Sequence, residues 1–429
     1  MGLGTDDVAA PSSPAASDPG GGRSAAWDRT TIILLALLVP LAVATVVGLI
    51  VLWPSGTPPV TGIVQDDASY STGRVLAAVE DECAGVNEDR RPDGEIPSSV
   101  PCTLVTVGVP DEDGLQVEVW APSTVRAVDL DLGTEVVLAQ YPATASEAEL
   151  WVWHDYARSL PLALFAIAYA VVVVAVAGMR GLRALLGLGF AFGVLAVFML
   201  PALLERRDAP AVALVGSMAI MFVVLYLAHG ISRRTTTALL GTFAGLGVTA
   251  LLGWLGASAA RLTGITSEDD YRLAMLTGQV EGEGLRGIFL AGVVLAGLGV
   301  LNDVTITQAA AVWELRAVDP TASRRRLFAG GMRIGRDHIA STVYTIAFAY
   351  AGAALPVLLL IQVYRLPLMQ TVTGGEFAEE IIRTAVGSIG LVLAIPLTTA
   401  IAALVVTAGP YRAARHRHAE ATGHTHSHS

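Results

Sequence analysis

Apolar and polar positions along the chain fall into two periodic regimes and two aperiodic tails. Unbroken apolar runs cover residues 30–53, then 160–178, 184–204, 210–229, 236–260, 286–312, 339–363 and 382–408. As helices rising about 1.5 Å per residue, each can cross about 30 Å of hydrocarbon. The pattern therefore predicts about eight transmembrane helices. The first run is too long and starts too far in for a cleaved signal peptide, so it reads as an uncleaved span. Pro40 is a candidate kink in it. Pro396 predicts a break in the last span, where freed carbonyls can line a cavity.

Between the first and second runs the period drops to two. Residues 73–79, 103–109, 115–120, 135–141 and 149–153 alternate, separated by turn formers such as Pro110-Asp111-Glu112-Asp113-Gly114. Five short strands suggest a small β-barrel of the oligonucleotide/oligosaccharide-binding type. Residues 1–26 are rich in Ala, Ser, Pro, Gly and Asp and predict a disordered tail. The expected organisation is a cytoplasmic tail over 1–29, a first span over 30–53, an extracytoplasmic β-rich domain over 57–157, a seven-helix membrane core over 158–408 and a His-rich tail over 409–429. The fold class is mainly α, integral membrane, with one small β-rich domain.

Composition agrees: 53% of residues are hydrophobic and only 15% charged, against about a quarter charged in soluble domains. The net charge of −11 is distributed unevenly. Residues 57–157 hold 19 Asp/Glu and 4 Arg, and the remaining 23 Arg outnumber the remaining 19 acids. Acidity of that kind serves solubility or attracts cations, and it excludes nucleic acid as a partner. Loop Arg favour an orientation with both termini cytoplasmic, by fifteen on that side against eight on the other. Glu205-Arg206-Arg207-Asp208 runs against the rule, its acids neutralising its Arg. Cys83 and Cys102 then lie outside, where a disulfide is expected and two free thiols are the alternative.

The chemistry concentrates between Arg286 and Arg316. Asp303 lies inside that apolar helix, 17 residues from one Arg and 13 from the other. An ionisable group at such depth costs about 2.5–3.5 kcal/mol on insertion scales, and by default suggests function. Thr307 and Glu314 share its stripe, Asn302 adjoins it, and Gly292, Ala296 and Gly299 continue it. Small residues admit a close second helix, so Asp303 is expected to face the bundle interior. The facing stripe is His338, Thr342, Thr345, Ala349, Gly352 and Pro356; Glu379, Glu380 and Arg383 head the last span. The bland alternative is that these residues only pack helices. Residues 314–338 read as a basic cytoplasmic connector, with Gly331, Arg333, Arg336 and Asp337 near a hinge or anchoring anionic lipid. His416, His418, His424, His426 and His428 can bind transition metals weakly, but no metal site or cofactor is assigned. No phosphate-cradling loop, metalloprotease pair or nucleophile elbow appears, so an enzyme is not expected.

Several of these segments resemble one family. Gly299-Val300-Leu301-Asn302-Asp303-Val304-Thr305 with Val312-Trp313-Glu314-Leu315, Gly331 through Asp337, Thr345 through Gly352, Glu380 through Arg383, Gly387 through Gly390, and Pro396 together resemble the YibE/F-like family of bacterial membrane proteins, over roughly 155–408. The resemblance implies a multi-pass plasma-membrane protein with an external domain before the core, and names no substrate. A more distant likeness is to SecF-like members of the resistance-nodulation-division permeases, which use intramembrane acids and proton flow. The chain departs from them in having one external domain. The expectation is a permease or exporter, proton-coupled through Asp303. The alternative is a non-transporting scaffold whose external domain binds an envelope partner. Membrane lipid, a small solute or ion, and a second copy of the chain are the partners this implies.

Overall fold

The structure is a computed structural model. It describes residues 29–56, 68–91, 93–110, 114–143, 148–279, 284–365 and 367–408. Of the tails expected at 1–29 and 409–429, all but Arg29, which opens the first helix, lie outside the described residues.

Helix α1 (Arg29–Leu52) runs unbroken through Pro40. The next described segment forms five antiparallel strands: β1 (Ser69–Cys83), β2 (Val100–Val109), β3 (Leu115–Ala121), β4 (Glu135–Tyr141) and β5 (Leu150–Tyr156). They pair in the order β3-β2-β1-β4-β5. A bulge between Val75 and Ala77 bends β1, so its first half pairs with β4 and its second with β2. Alternation puts Val75, Val105, Val107, Val117, Val119, Val136, Leu138 and Trp153 on one buried face. Cys83 and Cys102 face each other across the β1–β2 ladder and are disulfide-bonded. The sheet is open: β3 and β5 are its edges, with no ladder between them among the described residues. A closed barrel needs that last pairing, and strand patterns do not specify it.

Helix α2 (Ser159–Val194) continues through a π-turn at Leu195–Met199 into α3 (Leu200–Leu204). The runs expected at 160–178 and 184–204 are thus one helical stretch of 46 residues. It is broken at Gly178, whose φ of 59° and ψ of −139° are open to glycine and strained for other residues. Next come α4 (Ala209–His229), α5 (Arg233–Ala259), short α6 (Glu268–Thr277), α7 (Gly284–Val318), α8 (Arg324–Ala353), α9 (Leu355–Tyr364), α10 (Leu368–Val372) and α11 (Gly375–Thr407). Among the described residues six helical stretches are long and apolar enough to cross a membrane, and a seventh is added if α8 and α9, bent by 68°, count as one.

Two expectations fail here. The connector over 314–338 is almost wholly helical: α7 continues to Val318 and α8 begins at Arg324, with Ser323 capping the Arg326 N–H. Leu327, Gly331 and Gly335 recur every four residues on one buried stripe, so the glycines serve packing instead of a hinge. Helix α11 also runs unbroken through Pro396. A proline there removes one hydrogen bond, and tight packing of Ala394, Ile395, Thr398 and Thr399 holds the helix together.

Close packing of α5, α7 and α11 forms the centre of the core. A Cβ on Gly241 would lie 2.2 Å from Thr398 Oγ1, one on Gly245 2.8 Å from Leu301 Cδ2, and one on Gly390 2.1 Å from Thr249 Oγ1. With no hydrophobic driving force between helices in lipid, backbone approach at small residues and hydrogen bonds supply the association.

Candidate functional site

Helix α7 presents two contrasting faces. Its core face carries Leu301, Val304, Thr305, Gln308, Ala309 and Val312, all buried against neighbouring helices. The stripe of Gly292, Gly299, Asp303 and Thr307 lies on another side. Nothing stands within 4 Å of where a Cβ on Gly292 or Gly299 would sit. Asp303 does not face the interior: its side chain is 73% exposed, and Thr307 and Glu314 are exposed too. Small residues permitted a close neighbour, but the larger side chains on the opposite side already bury α7 against α5 and α11.

Asp303 has one charged-group neighbour across the helix boundary. Its Oδ2 lies 3.9 Å from Nε2 of His338 on α8, a nitrogen that is itself buried and without a hydrogen-bond partner. Asn302 is half-buried, with its Oδ1 buried and unpartnered. The predicted hydroxyls turn inward on their own helices: Thr307 donates to the Asp303 carbonyl at 2.8 Å, Thr342 to His338 at 2.9 Å and Thr345 to Ser341 at 3.2 Å. They bend or satisfy local backbone and do not bridge α7 to α8. Arg333, Arg336 and Asp337 are exposed, while Gly331 is buried.

The polar groups that do join helices were not among those expected. Gln308 Nε2 donates to the Gly331 carbonyl at 2.8 Å and to Thr399 Oγ1 at 2.7 Å, tying α7 to α8 and α11. Thr242 Oγ1 and Thr305 Oγ1 are 2.6 Å apart, tying α5 to α7. All four side chains are buried. An amide and hydroxyls within apolar runs are their signal in the sequence; that Thr242 and Thr305 meet is set by the packing of α5 on α7.

A second polar cluster stands where the sheet joins the bundle. That end is recognisable because Ser55, just after α1, bonds Glu205 after α3, and Arg206 in turn bonds the Thr277 carbonyl at the end of α6. Here a cavity of about 510 Å³ opens between α6, α7, α8 and α11. Leu285, Phe289, Gly292 and Ala296 supply its apolar wall, and Asp270, Tyr350, Glu379 and Arg383 its polar end. Glu379 is 7% exposed, with Oε1 unpartnered. Arg383 pairs with Glu380 at 2.9 Å and lies over the Phe289 ring, 5.4 Å from its centroid. On α6, burial raises the Asp270 carboxyl, but hydrogen bonds from Ser267 and Thr266 outweigh it and hold the group below its ordinary value. The cavity shares Gly292 and Ala296 with the Asp303 stripe, and Ala296 lies about 10 Å along α7 from Asp303 at about 1.5 Å per residue.

No cluster of three metal-ligating side chains occurs among the described residues. Residues 165–408 match the YibE/F-like protein family, and the chain belongs to it. No curated protein and no solved structure matches the chain.

Proposed function

We infer that this member of the YibE/F-like family is a proton-coupled permease of the plasma membrane. The chain crosses the bilayer eight times, α1 included, if the stretch broken at Gly178 counts twice and α8 with α9 once, with both termini cytoplasmic and the sheet outside. The observation that carries this reading is the Asp303–His338 pair, 3.9 Å apart, between the apolar helix α7 and the start of the apolar half of α8. A carboxylate at that depth is costly. An imidazole beside it can take and return its proton without leaving a lone charge in hydrocarbon. The cavity ending in Glu379 and Arg383 is the solute entrance, and the open α7 stripe joins it to the pair.

The test is proton movement. Liposomes holding the full chain, loaded with a pH-sensitive dye, are driven by a potassium diffusion potential. Wild type should acidify or alkalinise the lumen faster than empty vesicles, and Asp303→Asn should abolish the difference. A flux that survives the substitution removes Asp303 from the mechanism. The scaffold reading has some support in Trp120, Val128 and Leu132, apolar groups exposed on the sheet domain. Equal fluxes with wild-type and empty vesicles would favour it.

A further inference from the structure

The charged loop after α3 looked self-neutralised in sequence, but in the fold its acids are engaged elsewhere. Glu205 accepts from Ser55 N, Ser55 Oγ and Gly56 N, each at 2.8 Å. Asp208 caps α4 by accepting from Ala211 N at 2.8 Å. Arg206 and Arg207 remain, and with Arg286 near the start of α7 they line a cavity of about 410 Å³ at the sheet-side end of the bundle.

The cavity's unused hydrogen-bonding capacity is of one kind. Arg286 Nε is buried and unpartnered, although another of its nitrogens donates to Ser258 Oγ. Gln279, only 8% exposed, also lines the cavity, and its Nε2 is buried with no partner among the described residues. Arg207 is 3.5 Å from Glu205, too long for a strong bond. Arg206 holds a positive φ of 59°, a conformation uncommon outside glycine, while its guanidinium reaches the Thr277 carbonyl. The N-terminus of the long helix α7 adds its positive end. Among the described lining residues three guanidiniums stand against one carboxylate, Asp208, and unused N–H donors in such a setting call for an oxyanion with several acceptor oxygens. Trp254 at the rim is 55% exposed, as suits an aromatic at the membrane interface.

We propose that the cavity formed by Arg206, Arg207, Gln279 and Arg286 binds a phosphate group, carried by an anionic lipid headgroup or free in solution. Its oxygens would accept from Arg286 Nε, Gln279 Nε2 and the Arg207 guanidinium, and its charge would screen the three arginines. The site is separate from the Asp303 pair and needs no transport.

The experiment uses the full-length chain in a neutral detergent, with native mass spectrometry as the readout. Short-chain phosphatidylglycerol, short-chain phosphatidylcholine and inorganic phosphate are added separately. Wild type should retain phosphatidylglycerol over phosphatidylcholine, and Arg286→Gln and Arg207→Gln should each weaken retention about tenfold or more, the loss of one charge-assisted bond. Arg207→Gln guards against misfolding because that side chain's contact with Glu205, at 3.5 Å, is a loose one. Arg272→Gln, on α6 and outside the cavity, should change nothing. Competition by millimolar inorganic phosphate assigns the site to a free ion, and lack of competition assigns it to lipid; both support a phosphate site. Equal retention by wild type and both cavity variants, or equal weakening by Arg272→Gln, overturns the proposal.

Discussion

Which face of α7 is packed can be measured with two glycines. Gly299 on α7 stands beside open space, whereas a Cβ on Gly335 of α8 would lie 2.5 Å from Ile395 Cγ2 and 3.1 Å from Gln308 Oε1. Replacing either by Ala removes a flexible glycine from a helix, a gain of about 1 kcal/mol in each case. That term is common to both, so the difference between the variants isolates steric crowding. Real Cβ atoms do not sit 2.5 Å from a methyl, so α8 must move away from α11 or Ile395 must leave its rotamer. Such overpacking costs about 1–3 kcal/mol, and any movement also stretches the hydrogen bond from Gln308 to Gly331. Gly299→Ala should therefore be neutral or up to about 1 kcal/mol stabilising, and Gly335→Ala should lie about 1–3 kcal/mol below it. Denaturation of the purified full chain in mixed micelles, followed by helical circular dichroism, gives both values. A Gly299→Ala variant as destabilised as Gly335→Ala would refute the assignment and return the Asp303 stripe to a packed interface.

Further outcomes follow from the same geometry. Gln308→Leu removes two interhelical hydrogen bonds, each about 0.6 kcal/mol and at most about 1.7 in membranes, so the same denaturation should show a loss of about 1–3 kcal/mol. Replacing Cys83 and Cys102 by Ser opens a covalent link with a sequence separation of 19. The loop-entropy relation puts this at about 3 kcal/mol for the sheet domain, readable as faster proteolysis within 69–156 while the helical core is unchanged. Backbone N–H groups of Ser55 and Gly56 hold the Glu205 carboxyl below its ordinary 4.5. A depressed folded value stabilises the clamp above the unfolded value and releases it as the pH falls through the folded one. The Ser55 and Gly56 amides should be protected from hydrogen exchange at neutral pH, lose that protection once the pH falls below the ordinary Glu range, and be less protected at neutral pH in Glu205→Gln.

Periodicity alone made most of the elements legible. Apolar runs marked the helices because hydrocarbon tolerates only backbones that satisfy their own hydrogen bonds. Period-two alternation marked the five strands because one face of the sheet is buried, and the glycine break at 178 fell where one apolar run met the next. Family motifs over the core were likewise readable as sequence. What the one-dimensional pattern left open is how each helix is rotated about its axis. Gly292, Gly299 and Asp303 share a stripe, but a stripe of small residues suits a tight contact and an open surface equally well. The tertiary structure resolved that choice through Leu301, Val304 and Gln308, whose packing against α5 and α11 turns the opposite side of α7 outward. It also decided the fate of charges that looked balanced in sequence. Glu205 and Asp208 are adjacent to Arg206 and Arg207 in the chain, yet both accept from backbone N–H groups elsewhere, and Arg207 keeps only a 3.5 Å approach to Glu205 while Arg206 reaches the Thr277 carbonyl. Adjacency in sequence sets which charges can meet; only packing sets which do, because a carboxylate binds where the fold makes several donors converge.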